Sequence, residues 1–146
     1  MNRVAEGRKR ENYLGIKGWV RAGRYGLERY LYFLQRLTGF GLIIYLLIHL
    51  YETSFRLRGE VTWEGVMGLF DQPVFAVLEY VVMAAFIFHA LNGLRLVIEE
   101  LGFALGKPRR PVYPYETSLQ RQRPFMWAIG VLIIVFLVVS LYDFLV

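Results

Sequence analysis

Cysteine is absent from all 146 residues, which excludes disulfides, zinc–thiolate sites and any thiolate-held iron–sulfur cluster on this chain. Histidine is scarce, with only His49 and His89, so any imidazole chemistry rests on two positions. No phosphate-binding glycine loop, metal-hydrolase motif or nucleophile elbow occurs, which argues against an independent hydrolytic or hydride-transfer enzyme. The opening MNRVAEGRKRENY is charged and is not closely followed by an apolar core and small-residue cleavage site, so no secretory signal peptide is expected.

What the chain does hold is apolar surface in long blocks. It is 56% hydrophobic and 16% aromatic, with a mean hydropathy of +0.40. The stretches Leu37 to Tyr51, Val74 to Leu94 and Phe125 to Val146 are too continuous to keep a solvated face. A helix needs about 20 residues to cross a hydrocarbon layer roughly 30 Å thick. The expectation is an all-α membrane protein with three transmembrane helices, at about residues 31–55, 73–101 and 124–146. This membrane domain, 31–146, follows an N-terminal segment, 1–30. Within that segment YLGIKGWVRAGRYGLERYLY (residues 13–32) interleaves aromatics and leucines with cations. Such a stretch suits the headgroup layer or docks on a soluble partner.

A net charge of +5 raises nucleic acid as a partner, but no nucleic-acid-binding motif accompanies it and the distribution says otherwise. Arg3, Arg8, Lys9, Arg10, Lys17, Arg21, Arg24, Arg29 and Arg36 come before or at the start of span one. Lys107, Arg109, Arg110, Arg121 and Arg123 lie between spans two and three, whereas the first loop holds only Arg56 and Arg58. The positive-inside rule then predicts a cytoplasmic N-terminus and second loop, with the first loop and the C-terminus outside. Residues 53–72 read as a short loop joining antiparallel spans, and Pro73 suits the first turn of span two. Gly102 or Gly106 is expected to end that span. KPRRPVYPYETSLQRQRP, with four prolines, reads as a connector with little helix.

Ionisable groups at membrane depth are costly and therefore functional candidates. They are His49, Glu79, His89 and Arg95, with Arg36 at a boundary. His89 has Ala85 four residues before it and Gly93 four after it, on one helical face. Small neighbours leave a flat slot in which an imidazole could hold a haem iron. The same pattern also describes a small-residue packing face, with His89 hydrogen-bonded to a neighbouring helix. Counting about 1.5 Å per residue places His49 roughly 20 Å from the cytoplasmic boundary and His89 about 15 Å from it. At different depths the two would not clamp one iron. His49 is then either a ligand to a second haem or a structural residue. Tyr32 and Arg36 are one turn apart and project together. They could hold a haem propionate or the carbonyl of a quinone, or Arg36 could snorkel to lipid phosphate. Arg95, six residues beyond His89, has the propionate and lipid options too. Glu79 reads as a boundary or interhelical contact.

Two segments carry a family resemblance. YFLQRLTGFGL resembles the first-helix HR-x-[ST]-G signature of the cytochrome b membrane-anchor subunit of succinate dehydrogenase. FHALNGLRLVIEELG is similar to that family's second-helix H-x-x-x-G-[IL]-R signature. The resemblance implies a subunit of succinate:quinone oxidoreductase that anchors the flavoprotein and iron–sulfur subunits and passes electrons from succinate oxidation to quinone. The succinate-oxidising site would lie on another subunit. It implies His89 as an axial ligand of haem b, Arg36 near quinone and propionate, and Tyr32 at the quinone site. It also implies one haem, or two if His49 ligates, shared with a second membrane-anchor subunit, because this chain has only two histidines. The location implied is a bacterial or archaeal cytoplasmic membrane, or the mitochondrial inner membrane. Gln35 stands where the family has histidine, and Tyr32 where it often has serine. A fumarate reductase anchor and a haem-free structural anchor are the alternatives, with a small transporter subunit more distant.

Overall fold

The computed structural model describes residues 26–107, 110, 112–113 and 118–146. The expected interfacial stretch up to residue 25 and part of the proline-rich connector lie outside the described residues. Those described form four α-helices and one 3-10 helix, with no strand among them. Three of the helical segments are long and apolar enough to cross a membrane, as the hydropathy blocks require. The chain divides into two units, Met1–Leu34 and Gln35–Val146.

Helix α1 covers Leu27–Thr53. It starts a turn earlier than expected, because Leu27 to Tyr30 are adequate helix formers and Glu28 in the first turn complements the helix dipole. The described part of the first unit consists of Gly26, at φ +83°, and the opening turns of α1. At the other end the Thr53 hydroxyl donates back to the carbonyls of His49 and Leu50, at 2.8 and 3.2 Å.

Where the sequence suggested a plain loop, the chain forms a 3-10 helix, Ser54–Arg58, and helix α2, Glu60–Phe70. Gly59, at φ +99°, makes the break between them. The two glycines within α2, Gly65 and Gly68, lower its intrinsic helix propensity and obscure it in the sequence. Arg56 stacks over Trp63, 4.7 Å from the ring centroid, so a contact between the two segments supports the turn.

Helix α3, Pro73–Glu100, opens with Gln72 as its N-cap and Pro73 in its first turn, as expected. It closes on a Schellman motif. Gly102 stands at φ +85°, its N–H donates to the Glu99 carbonyl at 3.0 Å, and the Phe103 N–H reaches the Ile98 carbonyl at 3.1 Å. Helix α4 covers Ser118–Leu145 and contains Pro124. The connector is therefore partly helical, contrary to expectation. The proline ring has a helix-compatible φ, and the loss of one backbone bond falls near the polar end of the helix, among Gln120, Arg121, Gln122 and Arg123.

Helices α3 and α4 pack against each other. Phe88, Met126 and Ile133 are buried, and the Tyr80 hydroxyl donates to the Leu137 carbonyl at 3.1 Å. Interhelical hydrogen bonds in bilayers average only about 0.6 kcal/mol, so side-chain packing holds most of this pair together. Helix α1 has no buried residue, and polar contacts from its second-unit part tie it to α3.

Candidate functional site

Those contacts converge on His89. Gly39 of α1 lies against the imidazole so closely that a Cβ there would stand 2.7 Å from His89 Cε1. His89 Nδ1 lies 3.2 Å from the Thr38 hydroxyl and 3.2 Å from the Gln35 carbonyl oxygen. The Thr38 hydroxyl donates its own hydrogen to that carbonyl, at 3.2 Å. A carbonyl oxygen only accepts, and a hydroxyl whose proton is committed can only accept from a third group. The contact with the Gln35 carbonyl is a hydrogen bond only with the imidazole proton on Nδ1, an arrangement that leaves the lone pair on Nε2. Among the described residues Nε2 has no hydrogen-bond partner, and no buried side-chain polar atom is left unsatisfied, so Nε2 is not sealed inside this chain.

The other side of the crossing is a chain of polar side chains. Gln35 Nε2 donates to the His89 carbonyl at 3.2 Å, and Asn92 Nδ2 donates to Gln35 Oε1 at 2.8 Å. Arg95 Nε donates to Asn92 Oδ1 at 3.1 Å, and Arg95 Nη1 reaches both oxygens of Glu99, at 2.9 and 3.2 Å. Asn92 is 1% exposed and Arg95 7%. An amide or a cation at such burial is tolerable only when bonded, and each is. Gly93 leaves room for this chain: a Cβ there would stand 3.1 Å from Gln35 Nε2. The space anticipated beside His89 is thus partly occupied by an amide from α1.

The sequence reading missed Asn92 and Glu99 and treated Gln35 only as a departure. A signal was present, since His89, Asn92, Arg95 and Glu99 follow one another at steps of three, three and four within an apolar span. Of the residues it did single out, Arg95 has its Nε and Nη1 engaged by Asn92 and Glu99. His49 stacks on Tyr45, with ring centroids 5.4 Å apart, and approaches Glu52 at 3.9 Å with 46% of its side chain exposed. It lies ten residues beyond Gly39 on α1, about 15 Å along the axis, so the two histidines are not brought together. Arg36 is exposed. Tyr32, 47% exposed, belongs to the first unit. Glu79, also exposed, borders an open depression with Met67, Phe70 and Asp71.

The two segments that meet here are the two that carried the resemblance, and comparison with known proteins decides the matter. The model of the succinate dehydrogenase/fumarate reductase transmembrane subunit family matches residues 19–140. The chain belongs to this family. Similar family relatives include the succinate dehydrogenase 2 membrane subunit SdhC of Mycobacterium tuberculosis, 27% identical over 96 residues, covering 66% of this chain and 61% of the relative. Another is the succinate dehydrogenase hydrophobic membrane anchor subunit of Halobacterium salinarum, 31% identical over 80 residues, covering 54% of this chain and 62% of the relative. The chain spans about three fifths of the length of the curated relatives it matches. With its three candidate spans this family member is a multi-pass membrane protein.

Proposed function

We propose that the chain is the haem b membrane anchor of a succinate:quinone oxidoreductase, binding the iron–sulfur and flavoprotein subunits and a second anchor subunit and delivering electrons to quinone. The observation that carries this reading is the imidazole of His89. Its Nδ1–H is held by acceptors of α1, and its Nε2 lone pair has no partner among the described residues. A histidine that ligates a metal through one nitrogen characteristically donates the other N–H to a carbonyl or similar acceptor. The donor set therefore fits a histidine that would hold a haem iron. Haem b bound there would supply a one-electron store beside the quinone site.

This chain's own residues do the rest. His89 would hold the iron through Nε2. Arg36, exposed on α1, is suited to a quinone carbonyl or a haem propionate, with Tyr32 assigned to the quinone as well. Arg95 is a weaker propionate candidate, because Glu99 already takes both a charge and two hydrogen bonds from it. The family resemblance supports this reading, and the relatives' printed names support its membrane-anchor part.

The test is a dithionite-reduced minus oxidised visible spectrum of the purified complex, with pyridine-haemochrome quantification. One b-type haem per chain supports His89 as ligand, and two bring in His49 at its own level. His89→Ala should remove at least one haem per chain. A wild-type complex without haem leaves a structural anchor and overturns the assignment.

A further inference from the structure

The geometry points to Thr38 as a positioning residue that holds the His89 ring and tunes it as a ligand; the inference rests on the haem reading above. A threonine hydroxyl in a helix ordinarily satisfies itself by donating to a carbonyl three or four residues earlier. Thr38 does this to Gln35, at 3.2 Å, and its oxygen is thereby left with lone pairs to offer. His89 Nδ1 lies 3.2 Å from that oxygen and 3.2 Å from the carbonyl the hydroxyl has already bonded. The three groups lie within hydrogen-bond distance of one another, and with the proton on Nδ1 both the Gln35 carbonyl and the Thr38 hydroxyl can accept it.

Three consequences follow. The ring cannot rotate about its Cβ–Cγ bond without breaking both contacts, and Gly39 blocks its Cε1 edge from the α1 side. The tautomer is set, with Nε2 as the ligating nitrogen. The acceptors also pull on the Nδ1 proton, which makes the imidazole a stronger electron donor and favours the ferric over the ferrous iron. Thr38 is assigned no ligand role of its own. Its influence is exerted through His89.

The experiment compares Thr38→Val, which keeps the shape and removes the hydroxyl, with Thr38→Ser, which keeps the hydroxyl and removes the methyl. Both are made in the complete complex and read by redox titration of the haem and by the low-spin ferric EPR signal. Thr38→Val is expected to raise the midpoint potential and shift the EPR g-values, while Thr38→Ser stays close to wild type. Should Thr38→Val lose its haem, restoration in Thr38→Ser supports the same role. A Thr38→Val complex with wild-type potential and g-values overturns it. So does a loss of haem in both variants, because the hydroxyl kept in Thr38→Ser would then not be what holds the ring. Absence of haem from the wild-type complex sinks the underlying reading, an outcome distinct from either of these.

Discussion

At the scale of single residues the site depends on hydrogen atoms where larger groups would not fit. A methyl on Gly39 would place a carbon 2.7 Å from His89 Cε1, with an aromatic ring and not a flexible chain end opposing it. Overpacking of this kind typically costs about 1–3 kcal/mol, released by moving the ring. Gly39→Ala should therefore lose most of its haem. Gly41→Ala, two residues on, meets nothing within 4 Å and should keep it. Haem per chain in the two purified variants checks this, and equal retention would mean the ring does not stand against Gly39. Gly93 falls between these cases, since the 3.1 Å neighbour is the movable amide of Gln35.

At the scale of elements, Gln35 ties α1 to α3 through His89 and Asn92, and Asn92 is in turn braced along α3 by Arg95 and Glu99. Deleting a link leaves its neighbours buried without partners. Asn92→Leu strands Gln35 Oε1 and Arg95 Nε, at about 1–3 kcal/mol for each unsatisfied group. Arg95→Met leaves the Glu99 carboxylate, whose side chain is 11% exposed, without its cation; breaking a buried pair from one side costs about 3–5 kcal/mol. Both variants should lower the thermal midpoint of the complex, Arg95→Met at least as far as Asn92→Leu. Scanning fluorimetry on the detergent-purified complex reads the order. A neutral Arg95→Met would show that the Arg95–Glu99 pair, which lies within α3, contributes nothing to stability.

Among the described residues of the membrane helices few side chains are buried. None of the span window in α1 is buried, and only 11% of that in α4, so lipid or another chain must cover those faces. With His49 about 15 Å along α1 from the Gly39 level, this chain offers a single imidazole at the His89 site. On the proposed reading a second histidine for the haem iron would come from a sister anchor. Expressed without that subunit, the chain should not hold a stoichiometric low-spin haem, and co-expression should restore it. EPR and haemochrome assays on the two preparations decide between these. A full low-spin haem on the chain alone would move both ligands into it.

Hydrophobic blocks about as long as the hydrocarbon layer is thick, Val74 to Leu94 and Phe125 to Val146, leave few alternatives to spanning helices. The shorter block Leu37 to Tyr51 reaches that length with its flanking residues, so the three spans could be read from composition and length. Pro73 and Gly102 mark the ends of α3 because their backbone constraints act locally. His89 could be named as a candidate for a similar reason, since an ionisable group at depth is expensive wherever its neighbours are. Its partners could not be named. Gln35 and Thr38 are more than fifty residues away along the chain, and which lone pair and which proton meet there depends on how two helices cross. The tautomer of His89 and the separation of the two histidines therefore belong to the tertiary structure, whereas the pairing of Arg95 with Asn92 and Glu99 follows from spacings of three and four on one helix. Local sequence dictates which segments become helices, whereas hydrogen-bond direction and distance between helices arise only once they are packed.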